Sequence, residues 1–255
     1  MKVLSISSQV VWGPVGNSAA VPALQAKGHE VLALPTVMLS NHPGHGAPAG
    51  LRVQAEDMAR MFAALEALGA LSGLDALLTG YFASVGQVEE VARLLDRIPV
   101  PFLLADPVMG DHGRLYVPRD VAEAIRRHLL PRANCLTPNA FELAWLSGNE
   151  VTDEASAIAA ARSLSLPEVL ATSVPAHDGL ATLLVTPDGV HRITAPKLVK
   201  VPNGTGDFLS GLYLAARLEQ APRQAFASAM RTLARAIALS SGTTVLNVAG
   251  ALHGS

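Results

Sequence analysis

Short apolar runs alternate along most of the chain with longer stretches in which apolar residues recur every three or four positions. The first short run covers residues 2–8, a helical pattern follows from Asn17 or Ser18 to Lys27, and a second apolar run covers residues 30–34. Short apolar runs are typical of buried strands, and the three-to-four spacing is typical of helices with one buried face. Because the two patterns alternate, the sequence predicts an α/β fold with a mostly parallel sheet covered by helices on both faces.

The same alternation continues to the C-terminal end. Predicted helices cover residues 53–68, 84–97, 118–130, 139–146, 153–164, 205–218 and 222–241, and the last two finish the fold. Predicted strands cover 75–79, 101–105, 133–136 and 168–172, followed by a hairpin of 180–186 and 190–195, and 111–117 is a flap or short strand. Residues 35–50 hold three prolines and three glycines and are predicted to be an irregular loop, which in a compact domain is usually functional. With no repeat or linker, we expect one domain, residues 1–255.

Composition narrows the class of protein. Half of the 255 residues are apolar, with a mean hydropathy of +0.33, so material for a core is ample. A net charge of −2 without a Lys/Arg cluster argues against nucleic-acid or membrane-surface binding. No apolar stretch is long enough to span a bilayer, and the N-terminus lacks a signal core. Cys135 is the only cysteine and lies in an apolar run, which indicates a buried core thiol and a reducing compartment. We therefore expect a cytoplasmic protein.

Residues 203–207, Asn-Gly-Thr-Gly-Asp, lead into the long apolar run 208–218. The run has helical spacing, so the two glycines form a turn before a helix, and Asp207 falls in its first turn. Amide groups at a helix N-terminus have no partner inside the helix and carry partial positive charge, while glycine leaves room for a ligand. The stretch predicts a cradle for a phosphate or a developing negative charge, with a carboxylate beside it. On its own, Asp207 could equally be a simple helix cap.

Other polar residues fall at the predicted carboxyl ends of strands. These residues are Ser8, Tyr81, Asp106 and Thr137, and Asp207 follows the hairpin. Ligands of open parallel sheets bind at that edge. A dinucleotide site is excluded, because the first strand is not followed by Gly-x-Gly-x-x-Gly and the second ends in Leu-Pro. A Walker A loop is also absent, so phosphoryl transfer would use a different cradle.

Two acidic segments could hold Mg²⁺. Asp106 ends a strand and Asp111 follows a turn, while Asn139 and Glu142 share one face of a helix. Carboxylate and amide oxygens suit Mg²⁺, but Asn139 and Glu142 also fit an N-terminal capping box, and spacing alone leaves both roles open. The pair His42 and His45 has no cysteine partner, and we interpret it as part of a substrate-facing or solvated loop rather than a zinc site.

Taken together, these stretches resemble the ribokinase superfamily, and within it the pyridoxal kinases. The resemblance is carried by residues 7–13 and 16–20, by 39–42, by Thr-Gly-Tyr at 79–81, by Asp-Pro-Val-Met-Gly-Asp at 106–111 with 115–118, by 136–139 with Glu142, and by Gly-Thr-Gly-Asp at 204–207. It implies a ribokinase-like three-layer α/β/α fold and ATP-dependent phosphorylation of the 5′-hydroxyl of pyridoxal, pyridoxine or pyridoxamine. It also implies Mg²⁺, often a monovalent cation such as K⁺, and a homodimer.

The resemblance also assigns residues by position. The catalytic base and anion hole would be Asp207 with Gly204, Thr205 and Gly206. The substrate ring would lie among Ser8, Val10, Trp12, Pro43, Gly44, Tyr81 and Asp207. The nucleotide would lie among Asp106, Thr137, Asn139, Glu142, Thr172, Lys197 and Leu198, with Asp106 and Glu142 holding the metal largely through water.

The chain departs from the family pattern at Gln9, Trp12, Pro43 and Thr172, which bears on substrate ranking and nucleotide affinity and leaves the kinase chemistry intact. Three alternatives stay open. One is a related small-molecule kinase, chiefly for hydroxymethylpyrimidine. Another is a non-catalytic pyridoxal 5′-phosphate-binding protein, and the third is a scaffold without enzymatic activity.

Overall fold

A computed structural model describes residues 1–198 and 200–253. Its strands are β1 Lys2–Trp12, β2 Glu30–Asn41, β3 Gly50–Arg52, β4 Ala76–Thr79, β5 Phe102–Ala105, β6 Gly110–Asp111, β7 Arg114–Leu115, β8 Cys135–Leu136, β9 Glu168–Ala176, β10 Gly179–Thr186 and β11 Gly189–Ala195. Its α-helices are α1 Asn17–Gln25, α2 Ala55–Ala67, α3 Val85–Arg97, α4 Arg119–Ala124, α5 Ala140–Ser147, α6 Glu154–Ser163, α7 Thr205–Arg217, α8 Pro222–Leu239 and α9 Val248–Leu252. Helix α4 continues into a π-helical turn, Ile125–Leu129, and a 3₁₀ turn, Leu130–Arg132.

Nine of the strands form one sheet in the order β11-β10-β9-β8-β5-β4-β1-β2-β3, and β6 pairs with β7 in a separate hairpin. The six strands from β9 to β2 in that order are parallel, while β10, β11 and β3 are antiparallel to their neighbours. This confirms the predicted mostly parallel sheet. Because the carboxyl ends of the parallel strands share one edge, the loops that follow β4, β5 and β8 come together there.

Helices cover both faces of the sheet, as predicted. Residues of α1, α7, α8 and α9 pack on one face, and residues of α2, α3 and α4 pack on the other. Helices α5 and α6 cover the end of the sheet that contains β9 and β10. Helix α7 is buried over most of its length, which explains why its sequence is apolar on nearly every side.

Strands β1 and β2 are longer than predicted, because the loop expected at residues 35–50 is wrong in its first half. Pairing is irregular between Ser7 and Gln9 and then resumes from Gln9 opposite Met38 to Trp12 opposite Asn41. Pro35 has no amide to donate, and it lies opposite Ser7 where this irregularity begins. Ser8 therefore lies inside β1 and not at its end.

Two smaller predictions have clear outcomes. Cys135 is a fully buried free thiol, as expected. The expectation that two helices finish the fold is wrong, because α9 follows α8 after a turn and is capped by the Asn247 side chain. A five-residue helix is too short to give a clear periodic signal. Within residues 1–198 and 200–253, no helix combines the length and the apolar character needed to span a membrane.

Candidate active site

The predicted turn before α7 is formed by Gly204, whose φ is +92°. A Cβ atom at this position would lie 1.9 Å from the backbone oxygen of Pro14, so both the conformation and the packing require glycine. A Cβ atom at Gly206 would meet nothing within 4 Å. Helix α7 begins at Thr205, so the amides of its first turn have no partner inside the helix, and the open space at Gly206 leaves room for an anion beside them.

Asp207 lies beside this space and accepts a hydrogen bond from the backbone amide of Gly16. Burial raises the pKa of the Asp207 carboxyl to about 6, because desolvation outweighs the hydrogen bonds from Gly16 and from its own amide. A Cβ atom at Gly16 would lie 2.2 Å from both the backbone oxygen and the Oγ of Ser8. Ser8, Gly16 and Asp207 are therefore close neighbours, and the role of Gly16 was not predicted.

A hydroxyl chain joins the predicted nucleotide residues to α7. Ser210 donates a hydrogen bond to Asp106 Oδ2 at 2.8 Å, and its Oγ lies 3.0 Å from Thr137 Oγ1. Burial raises the pKa of the Asp106 carboxyl well above its usual range, and the charges of Asp207 and Glu142 raise it further. Sequence reasoning missed Ser210, although its place three residues after Asp207 puts both on one face of α7.

Asn139 and Glu142 form the capping box of α5 that was one of the two interpretations of their spacing. The Asn139 side chain accepts from the Glu142 amide at 2.9 Å, and Glu142 Oε2 accepts from the Asn139 amide at 3.0 Å. Glu142 Oε1 also accepts from the amides of Met109 at 2.8 Å and Gly110 at 3.3 Å. Burial raises the pKa of Glu142 to about 7 in spite of these three amide donors. A capping role does not exclude a metal role, and the latter stays a prediction.

Tyr116 is a further neighbour of the acidic cluster that the sequence did not single out as a site residue. Partial burial and then the negative charges of Glu142, Asp106 and Asp207 raise the pKa of its hydroxyl. The residue as a whole is 55% exposed, so its side chain can reach solvent or a ligand. The phenol is therefore neutral and able to donate a hydrogen bond at the edge of the cluster.

The loop predicted to face the substrate approaches the α7 cradle from outside. Residues Pro43–His45 form a 3₁₀ turn, and Pro43 and Gly44 are exposed. A Cβ atom at Gly44 would lie 2.8 Å from the Asn203 side-chain amide, which places this turn next to the residue that precedes Gly204. The ring of Trp12 contacts that of His45, with centroids 4.6 Å apart and the ring planes tilted by 36°. Trp12 and His45 therefore lie where a flat ring could enter.

The remaining predicted residues lie around the cluster at different depths. Val10 is buried and its carbonyl accepts from the Ser18 hydroxyl, while Tyr81 is half-buried and its amide donates to Ser7 Oγ. The amide of Thr172 donates to the carbonyl of Pro138 at 2.8 Å, next to Asn139. Lys197 and Leu198 are exposed in the segment after β11.

The donor set fits Mg²⁺ of the kind that keeps most of its own water. Asp106, Glu142 and Asp207 are close enough for their charges to repel one another, and a cation would favour the ionised carboxylates. Among the residues that the structure describes, no three His, Cys, Asp or Glu side chains are grouped to hold a metal by themselves. Mg²⁺ commonly relies on one or two carboxylates, waters and substrate phosphates, so an arrangement without a complete protein cage is compatible with it.

These buried carboxyls predict a pH dependence of stability in the metal-free protein. Their folded pKa values are raised, to about 6 for Asp207 against an ordinary 3.8 and to about 7 for Glu142 against 4.5. The folded state therefore binds more protons than the unfolded state between pH 4 and about 7, and stability falls as pH rises through that window. We expect Asp106→Asn, a neutral mimic of the protonated acid, to raise Tm by several degrees at pH 8 and by much less at pH 5.

Thermal unfolding without divalent metal at both pH values measures this difference. Groups that do not interact with Asp106 cancel in the comparison, and relief of its repulsion with Asp207 and Glu142 is part of the expected effect. An equal effect of Asp106→Asn at pH 5 and pH 8 would show that the carboxyl is not destabilised by burial.

Comparison with known proteins gives a consistent result. Residues 50–253 match the family model described as phosphomethylpyrimidine kinase. The chain is 42% identical over 218 residues to a pyridoxine/pyridoxal/pyridoxamine kinase of Bordetella avium, covering 80% of this chain and 73% of that one. It is 39% identical to a pyridoxal kinase of Deinococcus radiodurans, covering 83% and 77%. The solved pyridoxal kinase of Leishmania donovani with ADP and pyridoxamine superimposes with a TM-score of 0.90 at 34% identity, covering 98% and 94%.

Proposed function

The chain belongs to the pyridoxal kinases of the ribokinase superfamily, and we propose that it transfers the γ-phosphoryl group of ATP to the 5′-hydroxyl of pyridoxal. The observation that carries the proposal is Asp207 in the first turn of α7, beside the amides that follow Gly204. That arrangement puts a proton acceptor next to an anion cradle. The sequence predicts an ATP-dependent kinase with a ribokinase-like fold. This prediction agrees with relatives that are pyridoxal kinases, one of which has been solved with ADP.

Asp207 acts as the general base in this reaction. A primary alcohol is a weak nucleophile until its proton is withdrawn as it attacks, and a carboxylate within reach takes that proton. The hydrogen bond from the Gly16 amide aims the carboxylate, and the raised pKa makes it a better proton acceptor than an ordinary aspartate. The amides of Gly204, Thr205 and Gly206 stabilise the charge that develops on the transferring phosphoryl group.

Asp106 and Glu142 would hold Mg²⁺, largely through water, beside the phosphates. When bound, Mg²⁺ neutralises phosphate charge during transfer. Thr137, Asn139 and Thr172 border the same region, and Lys197 and Leu198 would lie toward the adenosine. A monovalent cation such as K⁺ is an expectation from the family, and no residue of this chain is assigned to it.

The substrate ring would enter between β1 and the Pro43–His45 turn. Ser8 would hydrogen-bond the pyridine ring, and Tyr81 would pack on it. Val10, Pro43 and Gly44 would line the same space, and Trp12, which contacts His45, would close it from outside. Pyridoxine and pyridoxamine share the 5′-hydroxyl and are expected acceptors as well.

We further propose that residues 1–255 form one kinase domain that works as a cytoplasmic homodimer. Support for a reducing compartment comes from Cys135, which is the only cysteine and is a buried free thiol. Support for self-association comes from apolar side chains left exposed on the β1–β3 end of the sheet, namely Val11, Met38 and Leu51.

A direct comparison of acceptors tests the function. With ATP and Mg²⁺, we expect kcat/KM for pyridoxal to exceed that for hydroxymethylpyrimidine by at least about tenfold, because a site built to hydrogen-bond one ring rejects an analogue that leaves those groups unpaired. Pyridoxal-dependent ADP release is the measurement.

Hydroxymethylpyrimidine is the second candidate acceptor, because the matching family model describes a phosphomethylpyrimidine kinase. A preference for it would replace the proposed substrate and keep the kinase chemistry. Binding of pyridoxal 5′-phosphate without any ADP release would instead indicate a non-catalytic binding protein.

A further inference from the structure

Val108 has a backbone conformation that valine rarely adopts. Its φ is +34°, a region in which a β-branched side chain crowds the backbone. The residue lies in the turn that leaves β5 directly after Asp106. A strained residue of this kind persists only where its surroundings hold it.

The group that holds the turn is the Glu142 carboxylate. Its Oε1 accepts from the amides of Met109 and Gly110, the two residues that follow Val108. Asn139 Nδ2 donates to the Gly110 carbonyl at 2.8 Å, so Gly110 is bound through both of its backbone groups. The turn is therefore clamped to the N-terminus of α5.

Most of the acceptor capacity of Glu142 is used within the protein. A carboxylate accepts about four hydrogen bonds. Oε1 receives two, and Oε2 receives one from the Asn139 amide. The side chain is only 3% exposed. One acceptor position, on Oε2, is left for a water of the metal.

We propose that Glu142 is a positioning residue, whose main contribution is to hold residues 106–110 in a strained turn that fixes Asp106 against Ser210 and Asp207. The inference rests on the proposed function, in which Asp106 meets the nucleotide and Mg²⁺. In this role Glu142 acts through its hydrogen bonds to the backbone amides of the turn, in addition to any water-mediated contact with the metal through Oε2.

A double-mutant cycle in metal-free protein tests the clamp. Val108→Gly removes the strain and is expected to raise Tm by about 2–4 °C in the unsubstituted chain. In the Glu142→Ala background the turn has already relaxed, so the same change gives no increase. Glu142→Asp, whose shorter side chain cannot reach both amides, serves as the background if the alanine variant does not fold.

Ser165→Gly is the matched control for this cycle. Ser165 also has a positive φ, +54°, but is exposed in the turn after α6, where its amide donates to the carbonyl of Arg162. Its effect on Tm should be the same with and without Glu142. Equal effects of Val108→Gly in both backgrounds would overturn the inference.

Turnover at saturating Mg²⁺ gives the second readout. Glu142→Ala should lower kcat by roughly 10²-fold or more, because a small displacement of a reacting group has that cost. Glu142→Gln keeps an acceptor oxygen for Met109 and Gly110 and loses only the bond that Oε2 accepts from the Asn139 amide, so kcat should stay within about tenfold of that of the unsubstituted chain. A glutamine variant as impaired as the alanine variant would show that the charge carries the role and would contradict the inference.

The two readouts separate this inference from the proposed function. The Tm cycle uses neither ATP nor acceptor, so it remains decisive in a protein that shows no kinase activity. If the chain is an active kinase but the effects of Val108→Gly and Glu142→Ala on Tm are additive, the proposed role of Glu142 is overturned and the proposed function stands.

Discussion

Asp207→Asn is expected to lower kcat by about 10²–10⁴-fold, the usual cost of losing a general base. Asparagine has nearly the same shape and can still accept the hydrogen bond from the Gly16 amide, so the turn before α7 survives. What disappears is the capacity to take the proton of the attacking 5′-hydroxyl. The measurement is steady-state turnover with pyridoxal, together with ADP affinity, which should change little.

Glu219→Gln is the matched control for this variant. Glu219 is exposed just beyond the C-terminal end of α7, so the substitution removes the same charge from the far end of the same helix. It should leave kcat within about twofold, since surface charges at such a distance are largely screened. Turnover of Asp207→Asn close to that of the control would remove Asp207 from the role of base.

Gly204→Ala is expected to affect both turnover and folding. The added methyl group would lie 1.9 Å from the Pro14 backbone oxygen, and φ at this residue is +92°. The N-terminus of α7 must then shift, which moves the cradle amides away from the transferring phosphoryl group. We expect kcat to fall by at least about 10²-fold, the cost of one lost oxyanion donor, and Tm to fall by roughly 5–10 °C.

Two glycine controls separate the effect of backbone strain from the effect of a methyl group in the anion cradle. Gly28 has a φ of +77° and open space around it, so Gly28→Ala adds conformational strain alone and should cost Tm without affecting turnover. Gly206→Ala adds a methyl group to the cradle without a clash inside the protein, so it should keep Tm and weaken ATP binding. Full activity of Gly204→Ala would show that this turn is not the anion hole.

The parts of the fold that could be predicted are those with a local physical signal. The start of α7 follows from two glycines before an apolar run, and the caps of α3 and α5 follow from Ser84 and Asn139. The alternation of strands and helices predicted the sheet and its covered faces. The continuation of β2 beyond Pro35 was not predicted, because proline normally interrupts a strand. Only the irregular pairing between Ser7 and Gln9 explains how β2 accommodates this proline.

Only those features of the candidate site that lie within a single sequence motif could be predicted. The place of Asp207 in the first turn of α7 and the capping box of Asn139 and Glu142 were visible in spacing. Ser210 looks like a small residue in a buried helix, and its bond to Asp106 joins positions 104 residues apart. The amide of Gly16 and the strain at Val108 likewise arise from tertiary packing, which sequence spacing does not encode.

The most direct test of the central claim is product formation from pyridoxal, ATP and Mg²⁺, followed by the absorbance of pyridoxal 5′-phosphate and by ADP release in the same sample. The proposed function predicts one pyridoxal 5′-phosphate for each ADP, with both signals lost together in Asp207→Asn. ADP release without pyridoxal 5′-phosphate, or no ADP release in the presence of pyridoxal, would contradict it.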